Sequence, residues 1–298
     1  MECFVKQIRV AIIGVGLIGG SLGMALRACR KRRYHVAGIG RNTARLAQAQ
    51  RRGAIDIIAT DVAEGVKEAD IVVITTPVDT IAAFAGTVAP LLKRGAIITD
   101  AGSVKESIER DILRRFDKKK NSGLAFVGAH PMAGREKSGI EFAAKDLFRG
   151  ASVAVVPPAR HDKSALQRVV MMWKDAGAVP LFMTASAHDT AVAVTSHLPH
   201  IIAFTLSRQA AEAQKIVKGT MALAAGSFSD ITRVADSDPR DWAAICHANR
   251  RAVRSRLSAY IRALENIRVS LDDPLALERQ FRAGHESRTR VRQDRREP

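Results

Sequence analysis

From Ile8 to about Phe182, short β-branched apolar runs alternate with stretches whose apolar positions recur at helical spacing, the pattern of βαβ units feeding a parallel sheet. Strands are expected at 8–13, 35–39, 55–58, 71–75, 96–99, 124–127, 152–156 and 178–181. Several of these are apolar on both faces, as strands covered by helices on each side must be. After Met183 the alternation stops, and 187–213, 216–234 and 241–267 read as helices with no strand between them. Asp272, Asp273 and Pro274 mark a further helix start, because Asp can cap and Pro is tolerated at the first helical position. The expected organisation is an α/β domain over 1–183, an all-α domain over 184–286 and a basic, disordered tail over 287–298.

Composition narrows the setting. No apolar run approaches the roughly 18–20 residues that span a bilayer, and the start of the chain lacks the pattern of a secretory signal. A cytoplasmic protein without membrane partners is expected. Cys3, Cys29 and Cys246 form neither a CxxC pair nor an even disulfide framework, which suits a reducing compartment. The net charge of +17 raises nucleic acid as a partner. Its distribution argues otherwise: Arg27–Arg33 closes the first helix, where cations suit the dipole, and the tail arginines Arg288, Arg290, Arg292, Arg295 and Arg296 have no interleaved aromatics for stacking on bases. No specific nucleic-acid binding is expected, and acidic small molecules remain.

The candidate chemistry begins at the first βα junction. There Gly14-Val15-Gly16-Leu17-Ile18-Gly19 follows a strand and opens an apolar helix. This GxGxxG is the dinucleotide fingerprint of a Rossmann-type domain: Gly14 for the tight turn, Gly16 for close approach of a pyrophosphate, Gly19 for helix–strand packing. The N–H groups of Leu17, Ile18 and Gly19 would face the anion. At the end of the second strand, where an acid would read a ribose 2′-hydroxyl, the chain has Arg41, Asn42 and Thr43. That set suits a 2′-phosphate and favours NADP, with NAD the alternative. Thr76 and Pro77, after the fourth strand, complete the expected cofactor contacts. Two later loops, Asp100–Lys105 and Gly128–Gly134, leave the same sheet edge and carry Ser103 and His130. Ser103 alone could cap a helix over 104–116. Two clusters follow in the helical region: Ser196-His197-Leu198-Pro199-His200, and Thr232-Arg233 through Pro239. His197 and His200 have no matching acidic or thiol ligand nearby, so no metal site is expected.

The motifs DAGSVK, AHPMAG and SHLPH, in this order behind GVGLIGGS, resemble those of the prephenate and arogenate dehydrogenases of tyrosine biosynthesis, from about Ile8 to Leu264. The resemblance implies a nucleotide-binding domain followed by a helical dimerisation domain, a homodimer, and oxidative decarboxylation of prephenate or arogenate. By position, it implies that His130 takes the proton of the ring 4-hydroxyl, that Ser103 hydrogen-bonds the same hydroxyl, and that Arg233 holds the ring carboxylate. His200, and less directly His197, fall on the substrate side. Arg135 stands where many relatives have Thr and is a candidate for the substrate side chain. With no chorismate mutase segment before Ile8 and no regulatory domain after Ile267, a single-activity enzyme is expected. The rival two-domain dehydrogenases, of β-hydroxyacid or imine type, would need a lysine near 185–206, where this chain offers His188, His197 and His200. A dinucleotide sensor binding nucleic acid is the non-enzymatic alternative.

Overall fold

Alternate residues of the first strand, β1 (Ile8–Ile13), enter different apolar layers: Val10 and Ile12 pack on one face of the sheet, Ala11 and Ile13 on the other. A strand buried on both faces must lie inside a helix–sheet–helix sandwich. In the computed structural model, which describes residues 7–116, 124–134 and 137–294, that sandwich is built in chain order. β1 is followed by α1 (Leu17–Arg27), β2 (Tyr34–Ile39), α2 (Thr43–Arg51), β3 (Ile57–Ala59), α3 (Val62–Val66), β4 (Ile71–Ile74) and α4 (Ile81–Val88). Then come β5 (Ile97–Asp100), α5 (Glu106–Arg115), β6 (Ala125–Pro131), β7 (Ser152–Val156), α6 (Lys163–Asp175) and β8 (Val179–Phe182).

The eight strands are ordered β3-β2-β1-β4-β5-β6-β7-β8, and every neighbouring pair is parallel except β6–β7. The order in which successive strands are added reverses between the parallel neighbours β1 and β4, which opens a crevice at their carboxyl ends where such sheets take ligands. The eight expected strands are all present. One difference matters for the site: β6 runs to Pro131, so His130 lies within a strand, paired with Ala154 of β7, and not in a loop. The antiparallel return of β7 supplies the pairing that extends it.

Beyond β8 the described residues are helical. α7 (Ala185–Val192) runs through a π-helical turn (Ala193–His197) into α8 (Leu198–Ile216). Pro199 explains the wide turn, because its ring would collide with the Thr195 carbonyl in a regular helix. α9 (Gly226–Thr232) and α10 (Pro239–Ala248) precede α11 (Arg250–Val269) and α12 (Pro274–Asp294). The helix expected over 216–234 is broken, because Gly219 takes a left-handed conformation (φ +92) after Val217 leaves helical geometry. The one expected over 241–267 is interrupted at Asn249. Asp273 caps α12 as expected, accepting from the N–H groups of Leu275 and Ala276.

The chain divides into two compact units, Met1–Arg250 and Arg251–Pro298. Within the first, Asp189 of α7 accepts hydrogen bonds from the backbone at the start of α5. In the second unit, Arg288, Arg290 and Arg292 continue α12, against the disorder expected of them. Pairs one turn apart, Arg282 with Glu278 and Arg290 with Glu286, support that helix. Part of the basic surplus is structural too: Arg32 donates to both oxygens of Asp175 at 2.8 Å, and Arg27 to Asp56 at 2.8 Å. Among the described residues no helix is long and apolar enough to cross a membrane.

Candidate active site

The glycine loop turns β1 into α1. Gly14 has φ +94, a conformation L side chains rarely adopt, and a Cβ there would meet the Thr75 backbone at 3.1 Å. At Gly19 a Cβ would lie 2.6 Å from the Gly14 carbonyl oxygen and 2.9 Å from Ile12, so α1 rests directly on the strand. Gly16 differs, since a Cβ there would meet nothing within 4 Å. It opens on free space in front of a helix with no side-chain cap and no acidic residue in its first turn. The N–H groups of Leu17, Ile18 and Gly19 begin that helix and have no carbonyl of their own turn to bond, a cradle that fits a pyrophosphate. The Leu17 side chain itself belongs to the core.

Thr75, absent from the expected contacts, ties β4 to this loop: its hydroxyl donates to the Gly14 carbonyl at 2.6 Å. Thr76 follows, its hydroxyl accepting from Thr80 at 2.8 Å, with Pro77 exposed beside it. Arg41, Asn42 and Thr43 are exposed after β2. The Asn42 carboxamide oxygen accepts from the Arg45 N–H at 3.0 Å and so caps α2.

The carboxyl ends of β5 and β6 hold the densest polar cluster. Asp100 and Lys105 are both fully buried and form an ion pair. Asp100 also accepts from the N–H groups of Gly102 at 2.9 Å and Ala129 at 3.2 Å. The Lys105 stem lies against Gly128 of β6, where a Cβ would stand 3.2 Å from its Cδ. α5 begins at Glu106, so Ser103 is not its cap. That position is served from a distance: Asp189 Oδ1 accepts from the Lys105 N–H at 2.7 Å and Oδ2 from the Glu106 N–H at 3.0 Å, an anion where the helix dipole favours one. Ser103 is half-buried in the turn between β5 and α5.

His130, half-buried near the end of β6, places Nδ1 2.9 Å from Nε2 of His188 on α7. His188, which is 1% exposed, places its own Nδ1 2.8 Å from Asp189 Oδ1. Burial first, then the neighbouring His188, Lys105 and His197, holds His130 well below the usual imidazole range, so it is neutral at pH 7. For Asp189 burial acts upward, but the hydrogen bonds from His188 and from two backbone N–H groups prevail and keep the carboxyl low. Neither His188 nor Asp189 was singled out by motif. The only sequence signal is a His-Asp pair on the buried face of a helix, visible once that face is known.

Asn249, also missed, joins α7 to the next turn: its amide nitrogen donates to the Asp189 carbonyl at 2.8 Å and lies 3.2 Å from His197 Nδ1. His197 is 1% exposed, and burial lowers its pKa to about 4. Its Nε2 has no partner among the described residues. His200 donates from Nδ1 to the Ser196 carbonyl at 2.9 Å and stacks on Trp242, with ring centroids 3.4 Å apart. Nε2 of His200 therefore carries the lone pair. Arg233 is exposed at the start of a 3-10 turn (Arg233–Asp236) packed on α8. Arg135 lies outside the described residues.

Comparison with known proteins follows this division of labour. The prephenate dehydrogenase nucleotide-binding domain model matches residues 22–181, and the prephenate dehydrogenase dimerization domain model matches 184–278. The prephenate dehydrogenase of Bacillus subtilis (strain 168) is 33% identical over 282 residues, 94% of this chain and 75% of that protein. Among solved structures, prephenate dehydrogenase from A. aeolicus in complex with hydroxyphenyl propionate and NAD+ superposes with a TM-score of 0.87 at 29% identity, over 97% of this chain and 99% of that one. Synechocystis arogenate dehydrogenase gives a TM-score of 0.80 at 27% identity, over 95% and 100%. With both domain models matched across most of its length and a sheet, glycine loop and buried histidine cluster to go with them, the chain belongs to the prephenate dehydrogenase family.

Proposed function

We propose that the protein oxidatively decarboxylates prephenate or arogenate, using a nicotinamide dinucleotide as oxidant, with His130 as the base. The observation that carries this reading is a histidine at the carboxyl edge of the sheet, on a strand parallel to β1 and β4, between which the dinucleotide crevice opens, with its Nδ1 2.9 Å from His188 Nε2. The bound nicotinamide would accept the hydride from C4 of the ring. His130 takes the proton of the 4-hydroxyl, and as the C1–carboxylate bond breaks its electron pair enters the ring, releasing carbon dioxide and leaving an aromatic phenolate, to which His130 returns the proton. Aromatisation supplies driving force, so the residues act mainly by positioning and by one proton transfer. Ser103 hydrogen-bonds the same hydroxyl. The Arg233 guanidinium holds the ring carboxylate, for which its planar fork is suited. His200 and His197 line the substrate side, and Arg135 is assigned to the substrate side chain.

For the cofactor, Gly14, Gly16 and Gly19 shape the cradle, Leu17 and Ile18 contribute N–H groups, and Thr76 and Pro77 flank the crevice. Asn42 is engaged as a helix cap, which leaves exposed Arg41, beside Thr43, to meet a 2′-phosphate. NADP is therefore preferred over NAD. The rival reductase chemistries lack their lysine: between 185 and 206 the chain has His188, His197 and His200 and no lysine.

The test crosses prephenate and arogenate with NAD and NADP and follows the absorbance of the reduced nicotinamide. Turnover is expected with at least one substrate, with a higher kcat/KM for NADP; four silent mixtures from folded, cofactor-binding protein would refute the activity. The active form is a homodimer, because Ile216 and Leu223 each stand 85% exposed in the segment matched to a dimerization domain. Light scattering at micromolar concentration should give twice the chain mass, and a monomer there would refute this.

A further inference from the structure

We infer that His188 and Asp189 are positioning residues that lock His130 into the tautomer a base requires, with the proton on Nδ1 and the lone pair on Nε2. The inference rests on His130 being the base. Its starting point is the anchor. Asp189 is fixed from three directions: Oδ1 by the Lys105 N–H, Oδ2 by the Glu106 N–H, and its carbonyl by Asn249. An ionised carboxylate can only accept, so the His188 Nδ1 that faces Oδ1 at 2.8 Å must carry a hydrogen. A neutral His188 then has its lone pair on Nε2. That lone pair faces His130 Nδ1 at 2.9 Å, and the contact is a hydrogen bond only if His130 Nδ1 is protonated. Nε2 of His130, which has no hydrogen-bond partner among the described residues, is left as the acceptor.

The other tautomer of His130 would set two lone pairs against each other at 2.9 Å in a buried site. That arrangement loses a hydrogen bond and leaves His188 Nε2 unsatisfied. Once His130 has taken the substrate proton, the same contact becomes a charge-assisted hydrogen bond, with the Asp189 carboxylate balancing the imidazolium from beyond His188. The charged and titratable groups around the pair are Asp189 and His188 of α7, Asp100 at the end of β5, Lys105 just before α5, and His197 of the π-helical turn.

Two substitutions separate this role from simple packing. In His188→Gln the side-chain oxygen can reach the place of Nε2 and still accept from His130 Nδ1. In His188→Asn the shorter side chain can replace only Nδ1. The expected result is kcat within about tenfold of wild type for His188→Gln and a loss of about a hundredfold for His188→Asn, a fraction of the rate contributed by the base. KM values and cofactor binding, read by fluorescence titration, should stay put in both variants. Asp189→Asn, which frees His188 to turn its tautomer over, should also lose about a hundredfold in kcat and serves if the His188 variants do not fold. Equal kcat for the Gln and Asn variants would overturn the inference. His130→Asn separates the two readings. If that variant is silent while both His188 variants turn over like wild type, only the positioning role fails; if it turns over normally, the assignment of the base fails.

Discussion

His130→Asn is expected to lower kcat by about 10²- to 10⁴-fold, the usual contribution of a positioned acid–base group, with KM and cofactor affinity changed by less than about threefold. At ~1.4 kcal/mol per tenfold, that is about 3–6 kcal/mol of transition-state stabilisation from one side chain. The split follows from where the residue sits. The glycine cradle and the crevice between β1 and β4 are built without it, so binding should survive, whereas the proton of the ring hydroxyl has no other acceptor in this reading. The pH profile carries the sign of the effect. A base must be unprotonated, so activity falls as pH drops through its pKa. Because burial, His188, Lys105 and His197 push His130 well below 6.5, the acid limb of wild-type kcat/KM should lie below pH 6.5. Residual activity in His130→Asn is expected to lose that limb. A variant with wild-type kcat, or one whose loss lies entirely in KM, would remove His130 from the proton transfer.

The fold was legible in the sequence where neighbours along the chain decide the outcome. All eight strands could be read from apolar runs, and the glycine fingerprint could be placed at the first βα junction because its spacing is a local requirement of the turn. What could not be read depends on partners remote in sequence. β6 reaches Pro131 only because β7 returns antiparallel beside it, which moves His130 from a loop onto a strand. The cap of α5 comes from Asp189, more than eighty residues away, not from the adjacent Ser103. Breaks at Gly219 and Asn249 interrupt patterns that stay helical by propensity. In the site, His130 could be found because it lies in a recognisable motif, while His188 and Asp189 could not, since a His-Asp pair on a helix acquires meaning only from the ring packed against it. Likewise the arginines of α12 read as a disordered tail by charge alone, yet glutamates one turn away make the helix tolerable.

The buried pair beneath this network should prove the most sensitive point for stability. Asp100→Asn and Lys105→Met are each expected to destabilise by about 3–5 kcal/mol, because each leaves its partner charged and enclosed, at 0% and 1% exposure. The double variant should cost well under the sum of the singles. It removes both charges, although a carboxamide in place of the Asp100 carboxylate has one acceptor oxygen for the two backbone N–H groups, of Gly102 and Ala129, now held there, a remaining penalty of about 1–3 kcal/mol. Urea midpoints at an unchanged slope would measure the cycle, and additive losses would mean that the pair is not coupled. Activity should follow by a second route. Lys105 lies between β5 and Gly128 of β6, and its backbone N–H is one of the two that hold the Asp189 carboxylate. A folded Lys105→Met variant should therefore lose kcat more than cofactor affinity, since what it loosens is the support of the histidine pair and not the cradle at the other end of the crevice.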